Sequence, residues 1–184
     1  MANLTKKAIK QTFMGLLETK ALSKITVQDI ADACEINRNS FYYHFRDIPA
    51  LIEEIIMEEA DRLIAEYPTI SSLENALLVA VDFAKKNQKV VRNIYHSANR
   101  DIFEQHLWKI CDYVVHAYGE SAFPDKDIEK ESRELLADYY KCVCFGIIME
   151  WMENGMPQDT EAMVHKFLTL SEGMVERTLK RAEK

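Results

Sequence analysis

The chain has 184 residues and a formal net charge of −7. Hydrophobic residues make up 48% of it, which is ample for a packed core and excludes a disordered tail. Only five glycines and four prolines are present, so we expect an all-α protein rather than a turn-rich β architecture. No apolar run approaches the roughly 18 residues of a membrane span, and the first residues lack the apolar stretch of a signal peptide, so the expected location is cytoplasmic.

The first fifty residues predict three short helices. Apolar residues recur at i, i+4, i+7 and i+8 from Ile9, which indicates a first helix with one apolar face. Thr26 can cap a second helix, TVQDIADAC, with Asp29 at the position of a capping-box acid. After a tight turn, Asn37 can cap the third. Two short helices joined in this way form a helix-turn-helix pattern.

The third helix, in the stretch RNSFYYHFRD, carries an unusual number of hydrogen-bonding side chains. Burying them without partners would cost about 1 to 3 kcal/mol each, so a core position is unfavourable. At about 100° per residue, Phe41 and Phe45 lie one turn apart and are expected to anchor the helix. The polar sector beside them, about 140° wide, is predicted to face outward. It contains Arg38, Asn39, Tyr42 and Tyr43.

Longer amphipathic helices follow, the first of them capped by Asp47 and ending near Pro68. The last two predicted helices, near residues 128–153 and 160–181, are apolar-faced, and Gly155 is expected to end the earlier one. One chain offers too few surfaces to cover both faces, so we expect these helices to pair with a second copy.

Charge is distributed unevenly along the chain. Residues 1–50 carry seven Lys or Arg against five acidic residues, giving +2, and the remainder carries 16 against 25, giving −9. The two parts are therefore expected to face different partners. The acidic runs Glu53-Glu54 and Glu58-Glu59 are interpreted as a solvated helix face.

The cysteines and histidines predict neither a metal site nor a cofactor. The five histidines show no HExxH motif and no i, i+4 pair. No phosphate loop or GxSxG motif is present, so an enzyme is not expected. The four cysteines show no CxxC spacing and are interpreted as buried thiols: Cys34, Cys111, Cys142 and Cys144.

Residues 26–47, TVQDIADACEINRNSFYYHFRD, resemble the DNA-binding signature of the TetR family of bacterial transcription regulators. The resemblance covers about the first fifty residues without a gap and includes the IA pair and the FYYHF run. It implies a homodimeric repressor or activator whose third helix enters the major groove of an operator. The residues at DNA-touching positions would be Thr26, Gln28, Arg38, Asn39, Ser40, Tyr42, Tyr43 and His44.

The chemistry of these side chains suits the roles that the resemblance implies. Arg38 can pair bidentately with guanine or hold a phosphate, and Gln28 and Asn39 can bind adenine. The hydroxyls and His44 suit phosphate oxygens. The implied organisation is a helix-turn-helix DNA-binding domain over residues 1–47 and an effector-binding and dimerisation domain over residues 48–184. The effector would be a small molecule or a protein, and the operator an inverted repeat.

Two positions depart from the family pattern. Glu35 stands in the turn where the family usually has Gly, so it must accept a costly backbone conformation. Ile48 stands where a Lys is often found, which removes one expected phosphate contact. Near the C-terminus, FGIIMEWMENGMPQD resembles a branch of regulators in Gram-positive bacteria that includes proteins governing dihydroxyacetone kinase operons.

One alternative function stays open. A helical protein-interaction module would keep the helix-turn-helix fold without specific DNA binding and would use its acidic helices to hold a protein partner. Glu35 and the modest +2 charge of the first fifty residues favour it. The salt dependence of duplex binding would separate the two functions.

Overall fold

A computed structural model describes residues 2–96, 100–122, 129–157, 159–171, 173, 174, 177 and 178. These residues form helices and turns and no strand, which confirms an all-α protein with an N-terminal helix-turn-helix domain followed by a helical C-terminal domain. None of the described helices is both long and apolar enough to cross a bilayer. The α-helices are α1 (Ala2–Thr19), α2 (Val27–Ala33), α3 (Arg38–His44), α4 (Ile48–Glu66), α5 (Leu73–Lys86), α6 (Gln88–Tyr95), α7 (Arg100–Ala122), α8 (Lys130–Glu153) and α9 (Thr160–Ser171).

The first of two compact units consists of Met1–Glu59 and Asn87–His106. Within it α1 contacts α2 and α6, and α2 contacts α3. The apolar stripe predicted from Ile9 onward is confirmed, because side chains one and two turns apart on α1 are buried. The most deeply buried apolar residues of the three N-terminal helices and of α4 are Ile9, Phe13, Leu17, Ile30, Ala31, Phe41 and Leu51.

Helix α6 is attached directly to the end of α1. The side-chain amide of Asn93 donates to the carbonyl of Leu17 at 2.9 Å and to that of Lys20 at 3.4 Å. Carbonyls at the C-terminal end of a helix have no partner inside the helix, so this amide supplies one. The N-terminal unit therefore includes a segment from the middle of the chain. The functional boundary between residues 47 and 48 stays a prediction.

The second compact unit consists of Ala60–Lys86 and Leu107–Lys184, and within it α5 contacts α9. Helix α8 ends in a Schellman motif, in which Gly155 N–H donates to Met152 O and Met156 N–H donates to Trp151 O, both at 3.0 Å. Gly155 has a φ of 74°, which confirms its predicted position just beyond the helix. The indole of Trp151 donates to the hydroxyl of Thr160 at 2.8 Å, so the start of α9 is held against the end of α8.

The acidic face predicted on α4 is accessible to solvent, but two of its carboxylates also form ion pairs with α1. Lys10 Nζ lies 2.6 Å from Glu54 and 2.5 Å from Glu58, and Lys6 Nζ lies 2.6 Å from Glu54. The aliphatic part of Lys10 is largely covered, and its ammonium pKa is raised by these two carboxylates against the opposing effect of burial. The acidic side chains of α4 therefore neutralise two lysines of α1.

The cysteines were expected to be buried thiols, and this is correct only for Cys111. Cys34 and Cys144 are partly exposed, and Cys142 is exposed. Cys142 lies on the face of α8 that also carries exposed Leu135 and Tyr139, at i, i+4 and i+7. Its exposure follows from this uncovered face.

The turn between α2 and α3 is a second Schellman motif, with Glu35 in the left-handed region at a φ of 56°. Its N–H donates to Asp32 O at 3.1 Å, and the next N–H, of Ile36, donates to Ala31 O at 2.9 Å. This motif is usually closed by glycine because a Cβ is unfavourable there. The costly conformation expected at Glu35 is thus confirmed.

Glu35→Gly should stabilise the protein by about 0.5 to 1 kcal/mol, because glycine adopts the left-handed conformation without strain. The midpoint of urea unfolding, followed by circular dichroism, measures the change. The matched control is Ala33→Gly, two residues earlier at the exposed end of α2, which should lose up to about 1 kcal/mol because its backbone is helical. A loss of stability in both variants would contradict strain at Glu35.

Candidate nucleic-acid interface

The start of α2 is fixed by a capping box. The hydroxyl of Thr26 accepts from the N–H of Asp29 at 3.1 Å, and the N–H of Thr26 donates to the Asp29 carboxylate at 2.8 Å. Lys20 Nζ lies 3.0 Å from the same carboxylate. Hydrogen bonds from Thr26, with Lys20 adding to them, lower the pKa of Asp29 to about 2. The capping box predicted from the sequence is confirmed, and it holds the N-terminal turn of α2 at neutral pH.

The start of α3 is fixed in the same way by Asn37, whose side-chain oxygen accepts from the N–H of Ser40 at 2.8 Å. Two phenylalanines hold the helix down. Phe41 is fully buried and Phe45 is 3% exposed, with ring centroids 5.7 Å apart. Their predicted role as anchors is confirmed.

The opposite side of α3 is open. Tyr42 is 47% exposed and Tyr43 is 79% exposed, and Arg38 and Asn39 are exposed as well. Arg38 Nη2 lies 3.3 Å from the hydroxyl of Tyr42, a long hydrogen bond between residues one turn apart. The outward polar sector predicted from the sequence is therefore present, on a helix whose other side is buried.

Besides Arg38 and Tyr42, three more of the predicted contact residues already form side-chain hydrogen bonds within the protein. The hydroxyl of Thr26 donates to Asp29 at 2.5 Å, the amide of Gln28 donates to Asp32 at 2.6 Å, and the hydroxyl of Ser40 donates to Asn37 at 3.1 Å. Any further partner must share or replace these bonds. In contrast, the side chains of Asn39 and Tyr43 form no hydrogen bond with the described residues and are available at once.

The C-terminal end of α3 carries His44, which is partly buried. Its ring centroid lies 5.0 Å from that of Tyr43 in an edge-to-face arrangement. Beyond it, Asp47 accepts from the N–H of Ala50 at 2.8 Å, as expected of a residue that caps α4.

Thr26, which caps α2, and Gln28 on α2 are exposed, as are the outward residues of α3.

Two family models match the chain along most of its length. The model described as bacterial regulatory proteins of the tetR family matches residues 14–55, and a model described as the C-terminal region of transcriptional regulators matches residues 71–173, more than half of the chain. The chain belongs to the TetR family. The family resemblance of its helix-turn-helix is thereby confirmed, and the members of this family are transcriptional regulators, which are not enzymes.

Several curated relatives of this TetR-family regulator are transcription factors. The dhaKLM operon activator DhaS of Lactococcus lactis is 27% identical over 50% of this chain and 49% of its own length. The uncharacterised regulator YxbF of Bacillus subtilis is 25% identical over 89% of the chain and 43% of its own length. A probable acrEF/envCD operon repressor of Escherichia coli is 29% identical over 52% of each chain. The chain spans about half the length of the curated relatives it matches.

Two solved structures share the fold of this TetR-family regulator. The dihydroxyacetone kinase operon activator DhaS superposes with a TM-score of 0.66 at 20% identity, over 97% of this chain and 96% of its own. NalD, the secondary repressor of the MexAB-OprM multidrug efflux pump in Pseudomonas aeruginosa, gives a TM-score of 0.53 at 15% identity, over 92% and 95%. At sequence identities of 20% and 15%, these superpositions show a shared fold.

Proposed function

We propose that this TetR-family regulator acts in the cytoplasm as a homodimer that binds an inverted-repeat DNA operator and responds to an effector. The observation that carries the proposal is the two-sided third helix. Buried Phe41 and Phe45 fix α3, and its opposite side presents Arg38 and Tyr43 to solvent. A short, rigidly anchored helix with donors on its outer face suits the major groove.

The proposed contacts fall into two groups, those to bases and those to phosphate oxygens. Arg38 and Asn39 bind base edges, because both are exposed at the first turn of α3. Gln28 binds adenine only after its amide gives up the hydrogen bond to Asp32. Breaking this exposed hydrogen bond lowers the net free energy gained from the contact with adenine. Tyr42 packs against a thymine methyl. The remaining proposed contacts are to phosphate oxygens and involve Thr26, Ser40, Tyr43 and His44.

The proposed dimer forms through α8 and α9. On α9, Met163, Phe167 and Leu170 follow i, i+4 and i+7 and are 42%, 43% and 67% exposed. On α8, Leu135 is 70% exposed and Tyr139 59% exposed. Two exposed apolar faces of this kind support burial against a second copy in a two-fold arrangement.

The proposed division of labour assigns DNA binding to residues 1–47, and effector binding and dimerisation to residues 48–184. The effector is a small molecule or a protein. It acts by changing the distance between the two DNA-binding heads of the dimer, which releases the operator without touching the residues that contact bases. The relatives named above include an activator and a probable repressor, and the proposal covers both signs of regulation.

The function is tested by selecting duplexes from a random pool with the wild-type protein. We expect an inverted repeat to emerge, and a duplex carrying one half-site to bind at least about 100-fold more weakly than the full repeat at moderate salt. Arg38→Ala should weaken the full repeat by about 5- to 150-fold, because a bidentate contact to guanine is lost. Electrophoretic mobility shift or fluorescence anisotropy measures these affinities.

The matched control is Arg62→Ala, which removes an exposed arginine from α4 that pairs with Glu66 at 3.1 Å, and it should leave the affinity unchanged. A half-site bound as tightly as the repeat would refute the two-headed mechanism. If no duplex is enriched, the chain is instead an interaction module. The neutralisation of Lys6 and Lys10 by α4 favours that second function, since it removes positive charge from the N-terminal unit.

A further inference from the structure

A polar groove lies between the end of α1 and α6, entirely within the N-terminal compact unit. Its volume is about 370 Å³, which is within the range of small-molecule sites. The basic residues of its lining are Lys20 at the end of α1, Lys89 and Arg92 on α6, and His96, which caps the C-terminal end of α6. None of these residues was predicted to contact DNA.

The positive charge of the groove is concentrated on one face of α6. Lys89, Arg92 and His96 follow i, i+3 and i+7, a spacing that places them on the same side of a helix. All three side chains are exposed, and neither Lys89 nor Arg92 forms an ion pair with the described residues. Glu18 is the single carboxylate in the lining. The permanent charges of the groove are therefore three positive and one negative.

The groove is built on fixed elements. Asn93, which follows Arg92, holds α6 to the end of α1 through Leu17 O and Lys20 O. Lys20 itself is held by Asp29 at 3.0 Å, and an ammonium group has three donors, so two remain for another partner. Lys20, held in this way, loses less conformational entropy on binding than a cation on a mobile side chain.

We propose that this groove binds a small phosphate-bearing anion. Lys20 is already paired with Asp29, but Lys89 and Arg92 form no ion pair with the described residues, and two such cations side by side match a dianion better than a monocarboxylate. The planar guanidinium of Arg92 can hold two phosphate oxygens at once, and Lys89 and Lys20 supply point charges on either side. The site does not depend on the proposed DNA-binding function, because its ligand needs neither an operator nor a second copy.

Titration of the full chain with inorganic pyrophosphate by isothermal calorimetry tests the proposal, with sodium chloride holding the ionic strength constant. We expect saturable binding with one site per chain. Lys89→Gln/Arg92→Gln should weaken the affinity by about tenfold or more, because two charge-assisted contacts are lost. Both positions are exposed, and the thermal midpoint of the variant without ligand should match that of the wild type.

The control variant is Arg62→Gln/Lys166→Gln, which removes the same charge from exposed positions outside the groove and should bind pyrophosphate as the wild type does. Equal weakening in both variants would mean non-specific attraction and would overturn the proposal. The absence of saturable binding would overturn it as well. If the groove variant weakens duplex binding while the wild type ignores pyrophosphate, the phosphate belongs to the DNA backbone and the small-ligand site does not exist.

Discussion

Phe41→Ala is expected to lower the free energy of unfolding by about 3 to 5 kcal/mol. The side chain is fully buried, its ring centroid lies 5.7 Å from those of Phe45 and Tyr42, and truncation leaves a cavity under α3. Urea unfolding followed by circular dichroism measures the loss. Duplex binding should fall as well, but only as far as the folded fraction falls.

Tyr42→Ala, one residue further, is the matched control. Because Tyr42 is 47% exposed, its removal should cost no more than about 1 kcal/mol, chiefly the edge-to-face contact with Phe41. The same change should weaken operator binding by about tenfold or more, since the ring is proposed to meet a base. Equal losses of stability in the two variants would show that the buried and outward faces of α3 are assigned the wrong way round.

Leu170→Glu is expected to convert the proposed dimer to monomer. Its side chain is 67% exposed in the single chain, so the substitution should spare the fold of the protomer. At a dimer interface the new carboxylate would be buried without a partner, which costs several kcal/mol and weakens association by at least about 100-fold. Ile147→Glu on α8 should act in the same direction or abolish folding, because Ile147 is partly buried in the single chain. Sedimentation velocity over a range of protein concentrations measures the mass.

Thr169→Glu provides the control for charge on α9. Residue 169 is exposed and lies about 100° around the helix from Leu170, off the stripe formed with Met163 and Phe167. The proposed dimer should survive this change. If Leu170→Glu and Ile147→Glu both keep the mass of the unaltered protein, the interface does not lie on α8 and α9.

Features fixed by near neighbours in the sequence were predictable. The capping box of Thr26 and Asp29, the cap at Asn37 and the glycine after α8 each depend on groups a few residues apart, so the local pattern contains the whole interaction. The outward face of α3 followed from helical periodicity alone. The hydrogen bonds among the candidate contact residues, such as that from Gln28 to Asp32 on α2, did not, because several rotamers suit the same spacing.

Features that depend on distant residues could not be predicted. Asn93 reaches Leu17 across 76 residues, and Lys10 reaches Glu54 across 44, and neither pairing leaves a trace in local periodicity. The groove between α1 and α6 could not be predicted from the sequence either, because it also joins segments far apart in the chain. The stretch KVVRNIYH did contain one usable signal, the basic face formed by Lys89 and Arg92 at i, i+3.

The attachment of α6 to α1 limits how such proteins can be recombined. A gene fusion joined after Glu59 would transplant α1 without Asn93, leaving the carbonyls of Leu17 and Lys20 without their amide partner. It would also remove Ile94, which lines the same small apolar cavity as Leu22. A hybrid regulator with new operator preference therefore has to inherit residues 87–106 together with the N-terminus, so crossovers between family members should succeed only when both segments come from one parent.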